Sequence, residues 1–266
     1  MALALFWLAG TSATRSSFGV ACCAEEVPAT AADPRLGPVR SLEEMPQPPG
    51  AIEDWLRQAG VTFRIGGQRP SLVRGAPEAV GATRVFQAET QFRLSYTFRS
   101  QTRWQWQGRD LVVTIDYDDL QVHSEHEIWL RAMPDGDFWA SPLVRHELDH
   151  VRISSDPRVA AHFRKRVQAT VELRLTPDLL ANLIDVGVIQ PSLADRFARQ
   201  AVRPIARRRV PLDQDAMAAI VEHIVARQFR KTVQLVQVRY RELDRVTDHG
   251  DRPVPEEGPV RRWLTP

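Results

Sequence analysis

Apolar and polar residues alternate without a break along Phe92-Arg93-Leu94-Ser95-Tyr96-Thr97-Phe98, the pattern of a half-buried strand. Thr102 to Gln107 alternates in the same way, with Trp104 and Trp106 on one face. Gly108-Arg109-Asp110 reads as a turn, and Leu111 to Tyr117, rich in β-branched residues, as the next strand. After a turn at Asp118-Asp119, Leu120 to Leu130 predicts one more. Upstream, Ala51 to Ala59 has the spacing of a short helix ended by Gly60, and Val61 to Ile65 that of a strand stopped by Gly66-Gly67. The pattern predicts an antiparallel meander.

The period then changes. Ser141-Pro142 has the chemistry of a helix start, and the helix should run to about Ile153 before Ser154-Ser155-Asp156-Pro157 breaks it. Asp156 would cap a second helix, Pro157 to about Leu173. Thr176-Pro177 and Gln190-Pro191 begin two shorter ones. A long helix is predicted over Asp213 to Leu243, its apolar face carrying Met217, Ile220, Ile224, Leu235 and Val236. The tail after Gly250, with Pro253, Pro255 and Pro259, reads as irregular. Strands first and helices after make an α+β fold.

Composition narrows the class. With 43% hydrophobic and 26% charged residues in a chain of 266, most of the sequence should form a globular body. A net charge of +2 argues against nucleic acid as the main partner. The run Ala206-Arg207-Arg208-Arg209 reads as solvated surface. Cys22 and Cys23 are adjacent and are the only thiols, which excludes a disulfide framework and a thiolate metal site.

The first residues suggest export. Residues 2 to 9 form an apolar run too short for a spanning helix, which takes about 20 residues. Small residues follow, so 1–24 reads as a signal peptide cleaved near Ala21 or Ala24. Gly19-Val20-Ala21-Cys22 admits a lipid anchor at Cys22, with Gly19 where a leucine is usual. Residues 25–50, ending in Pro46-Gln47-Pro48-Pro49-Gly50, have linker composition. The organisation expected is a catalytic domain over 51–175, a helical extension over 176–248, an irregular tail over 249–266, and an extracytoplasmic location.

The chemistry lies in His146-Glu147-Leu148-Asp149-His150. On a helix, residues four apart share a face, with Cβ atoms about 5–6 Å apart. His146 and His150 can then converge on one Zn²⁺, while Glu147, beside the open coordination position, takes the proton of a water acidified by the metal. Metal-dependent amide hydrolysis needs this spacing, and a helix following a run of strands is the context it requires.

This segment resembles the active-site helix of zincin-type metallopeptidases. The strands before it, Phe138-Trp139 leading into it and the basic helix after it are similar in layout to a poorly characterised bacterial family of secreted zinc-dependent proteases, a domain of unknown function. The resemblance covers residues 60 to 173. It implies a zincin-like fold: an antiparallel-rich twisted sheet supporting the active-site helix, with an edge strand that binds an extended peptide. A peptide or protein would be the substrate and Zn²⁺ the cofactor.

A catalytic zinc has three protein ligands. Asp156, six residues after His150, has the spacing of the third ligand in H-E-x-x-H-x-x-G-x-x-H/D proteases, but Ile153 stands where the turn glycine belongs. Asp156 is therefore a ligand, a helix cap, or both. His162 and Glu172 on the following helix, and Glu222-His223 on the long helix, are the other candidates. His123 and His126, three apart on a strand, face opposite sides and should not share a metal. Asp149 should face solvent, pair with Arg145, or orient a ligand histidine. Phe138 and Trp139 should be core. The rival reading is a non-catalytic, envelope-associated or partner-binding protein on the same scaffold.

Overall fold

The computed structural model describes residues 35–70, 86–189 and 212–265. The apolar leader, both cysteines, the Gln190-Pro191 helix start and the Ala206–Arg209 run lie outside the described residues. The elements are β1 (Val39–Arg40), a 3₁₀ turn (Leu42–Glu44), α1 (Gly50–Gln58), β2 (Val61–Ile65), β3 (Ala88–Gln107), β4 (Asp110–Leu130), a second 3₁₀ turn (Phe138–Ala140), α2 (Pro142–Ser155), α3 (Pro157–Gln168), β5 (Glu172–Leu175), α4 (Pro177–Asp185), α5 (Gln214–Thr247) and α6 (Pro259–Leu264). The fold is α+β with a mixed sheet ordered β1-β2-β4-β3, and β5 also pairs with β4. Among the described residues, no helix is long and apolar enough to cross a membrane.

The chain divides into two compact units. One contains Val122–Ala160 and Thr232–Pro266 together with the segment ending at Ser95. In it β1 runs antiparallel to β2, and β2 runs parallel to the end of β4, Val61 opposite His126 through Ile65 opposite Leu130. That parallel pair departs from the antiparallel meander expected. It follows from chain order: β2 precedes the β3–β4 hairpin and joins the sheet beside the hairpin's second strand. The core here is Leu56, Phe63, Ile128, Leu130, Phe138, Trp139, Val144, Leu148 and Val151, with Leu42 and Met45 from the stretch read as linker. Phe63 meets Phe138 and Trp139 edge to face, at 5.6 and 5.9 Å between centroids.

The other unit contains Tyr96–Gln121 and Ala161–Lys231. Its β5 pairs antiparallel with β4 over Leu111–Thr114. Tyr96, Phe163 and Phe229 pack with centroids 4.6 to 5.5 Å apart.

Several elements differ from the pattern. The stretches Phe92–Phe98 and Thr102–Gln107 are one strand, because a hairpin partner pairs both. Asp118-Asp119 does not end β4, although Asp119 takes a φ of 51°; the strand absorbs that one residue. α3 stops at Gln168 and Glu172 begins a strand, since pairing with β4 outweighs helix continuation. Pro259 opens a short helix in the tail, where its fixed φ suits the first turn.

Candidate metal centre

Pro142 at the first helical position and Pro157 just beyond the end set the limits of α2. Val144, Leu148 and Val151 bury one face in the core. The opposite face is buried too: His146, Glu147 and His150 are 6%, 4% and 5% exposed, so this is no solvated charged helix. The imidazole centroids of His146 and His150 are 4.8 Å apart, at 79°.

α5 supplies the third group. Asp244 Oδ1 lies 3.2 Å from His146 Nε2 and 3.0 Å from His150 Nε2. One ligand atom from each of the three lies within 4.8 Å of the others. Tetrahedral zinc with bonds of 2.0–2.1 Å separates its ligand atoms by about 3.3 Å, close to the two histidine–carboxylate spacings, and the three donors are of the kind zinc takes. Burial opposes charge on Asp244, but the hydrogen bonds with His146 and His150, with further help from the charges of His150 and His249, hold its carboxyl far below the ordinary range.

The end of α5 also orients His146. Thr247 Oγ1 donates to Leu243 O at 2.7 Å, which leaves its lone pairs to face His146 Nδ1 at 3.5 Å and the Gly250 amide at 3.4 Å. With a metal bound, an Nδ1–H on that side would leave Nε2 to ligate in place of its hydrogen bond to Asp244, the tautomer a metal ligand needs. Gly250, at φ +89°, lies against the same ring: a Cβ there would come within 3.0 Å of His146 Cβ and Cγ. Three successive residues, Asp248, His249 and Gly250, are left-handed, at φ 51°, 55° and 89°. Glycine tolerates this freely, whereas each of the other two costs about 1–3 kcal/mol.

Glu147 sits beside the cluster and accepts from Thr90 Oγ1 at 2.6 Å. Burial pushes its carboxyl above the ordinary value, against the lowering effects of His150, the Thr90 hydrogen bond and His146. Behind His150 runs a chain of polar contacts. His126 Nδ1–H donates to Ala59 O at 2.6 Å, so its Nε2 accepts from Ser154 Oγ, also at 2.6 Å. Ser154 in turn accepts from Tyr240 OH at 2.7 Å. Burial lowers His126 to about 4, opposed by the Ala59 contact, which keeps the ring neutral near pH 7. Burial likewise pushes Tyr240 far up and keeps it an O–H donor. The Tyr240 ring lies 4.4 Å from that of His150.

His146, Glu147, His150, Tyr240 and Asp244 line a cavity of about 380 Å³, whose wall also includes Arg69, Phe86, Gln87 to Thr90, Leu143, His249 and Asp251. Its polar groups converge where the two histidines and Asp244 meet.

Of the residues expected from the sequence, His146, Glu147 and His150 come together, and Asp156 does not join them. Its carboxylate caps α3 through the Arg158 amide at 2.8 Å, is held by Arg158 Nε at 2.7 and 2.9 Å, and has Arg239 Nη1 at 3.9 Å. With both oxygens bound by guanidinium groups, it serves as a cap and ion-pair partner. His162 on α3, Glu172 on β5 and Glu222-His223 on α5 are also outside the cluster. Asp149 pairs with Arg152 at 2.8 Å, not with Arg145. His126 is the buried member of its strand pair, and His123 is exposed. Phe138 and Trp139 are core. The sequence reading missed Asp244, Thr90, Tyr240 and His249. Thr90 comes from β3, and Tyr240, Asp244 and His249 from the end of α5 and just beyond it, so none has a short fixed spacing to His146 and His150. Comparison with protein-family models, with curated proteins and with solved structures found no match to this chain.

Proposed function

We propose that the protein is a zincin-like zinc metallopeptidase, with His146, His150 and Asp244 as ligands and Glu147 as general base. The observation that carries this reading is the convergence of two buried imidazoles on one half-buried carboxylate oxygen, at 3.2 and 3.0 Å, with the buried carboxyl of Glu147 next to them. Zinc bound there would polarise a substrate carbonyl and acidify a water.

The chain's own residues do the rest. Glu147, held by Thr90, takes a proton from the attacking water and delivers it to the leaving amine, so that a C–O bond forms as the C–N bond breaks. Burial raises its pKa above the ordinary carboxyl value, the direction that suits a base which must later act as an acid. Thr90 lies on β3, which ends the sheet order, and its neighbours Ala88 and Glu89 also face the cavity. An extended peptide added along that edge would pass the cluster, which favours peptides or proteins as substrates. The apolar leader at residues 2 to 9 favours an extracytoplasmic location, with Cys22 as the point of any lipid anchor.

The test is metal content and hydrolysis of a peptide library by the purified full chain. Wild type should hold one zinc per chain and cleave. Glu147→Gln should keep the metal and lose cleavage by about 100-fold or more. His146→Ala should lose both. Zinc that survives His146→Ala removes the centre; zinc without any cleavage leaves a binding protein.

A further inference from the structure

We propose that His249 is a catalytic residue, placed to donate an N–H hydrogen bond to the substrate carbonyl oxygen as that oxygen gains negative charge. This rests on the metallopeptidase reading and adds a residue to it.

His249 differs from the cluster histidines. Their side chains are 5% and 6% exposed, whereas that of His249 is 44% exposed on the cavity wall. Its Nδ1 lies 3.6 Å from Asp244 Oδ1, the atom that both cluster imidazoles approach. That separation exceeds hydrogen-bond range, so Asp244 does not consume the donor. The ring is nonetheless fixed. Its backbone amide donates to Asp244 O at 3.0 Å, and Phe86 meets the ring edge to face at 5.4 Å. Arg69 covers the Phe86 ring, its guanidinium carbon 3.8 Å from the centroid. The left-handed turn at Asp248-His249-Gly250 brings Gly250 onto His146 and His249 beside Asp244 in one reversal of the chain.

Several other donors on the wall already have acceptors. Tyr240 OH is bound to Ser154, Thr90 to Glu147, and Arg69 to Glu89. Addition of water to an amide carbonyl puts negative charge on its oxygen, and a preorganised N–H aimed at that point lowers the barrier. His249 holds such a group next to the position where the metal and its ligands meet.

The experiment uses the zinc-loaded full chain and two probes. A phosphinic tripeptide presents tetrahedral oxygens in place of the charged carbonyl oxygen; 1-propanethiol ligates zinc without them. Dissociation constants are measured for wild type, His249→Phe, which keeps the packing on Phe86, and His249→Gln, which restores a donor. The expected result is zinc content unchanged in all three. His249→Phe should weaken the phosphinate about 100-fold and the thiol less than about threefold, with His249→Gln recovering at least about tenfold for the phosphinate. Equal weakening of both probes, no weakening of either, zinc loss in His249→Phe, or wild type that binds the thiol and not the phosphinate each overturns the proposal and leaves the metal centre standing. Wild type without zinc removes the metallopeptidase reading and, with it, this one.

Discussion

Asp244 Oδ1 faces three imidazoles, at 3.0, 3.2 and 3.6 Å, so its substitution should be felt first as loss of metal. Asp244→Asn is expected to weaken zinc binding by more than about 100-fold, above what losing an outer partner costs. Asp156→Ala should instead leave zinc affinity unchanged and lower stability by about 1–3 kcal/mol, through a lost helix cap and an Arg239 left buried beside nothing acidic. Competition titration against a chromophoric chelator, paired with denaturant unfolding, separates the two; a swap of the two phenotypes would restore Asp156 as the ligand. The local chemistry of Asp156, a carboxylate before a proline, was legible as a cap. Its spacing to His150 was equally compatible with a ligand, and only the two guanidinium groups around it decide the matter.

Among the elements, α2 was the most legible, because two histidines four apart, a glutamate between them and a proline at each end fix both helix and face. Burial of its polar face was not legible, because α5 covers it from 94 residues away in the chain. Long-range pairing also made one strand of two and turned the end of a helix into β5. The Ala59–His126–Ser154–Tyr240 chain ties α1, β4, α2 and α5 together and carries a pH dependence. Folded His126 titrates near 4, below its unfolded value of 6.5. The unfolded chain therefore takes up a proton first. This contribution to stability is complete above pH 6.5 and is lost as pH falls toward 4, by about 1.4 kcal/mol per unit and about 3 kcal/mol in all. Urea midpoints measured in chelator should decline over that window in wild type. They should stay flatter in His126→Asn, and an identical slope in the variant would assign the dependence to other groups.

For the whole molecule, every described group of the site belongs to one of the two compact units, yet it comes from three stretches: Arg69 to Thr90, Leu143 to His150 and Tyr240 to Asp251. A metal that binds only the folded form adds about 4 kcal/mol at a thousand times its dissociation constant. Zinc should therefore raise the unfolding temperature. It should also slow amide hydrogen exchange in 146–150 and 240–250 together, and protection confined to α2 would mean that Asp244 is no ligand. The order of the chain has a temporal consequence. A ribosome that has finished His146-Glu147-Leu148-Asp149-His150 must still translate past codon 244 before the third donor exists. A nascent chain thus carries an incomplete cluster, and assembly of the proposed metal centre waits until its C-terminal region has emerged and docked.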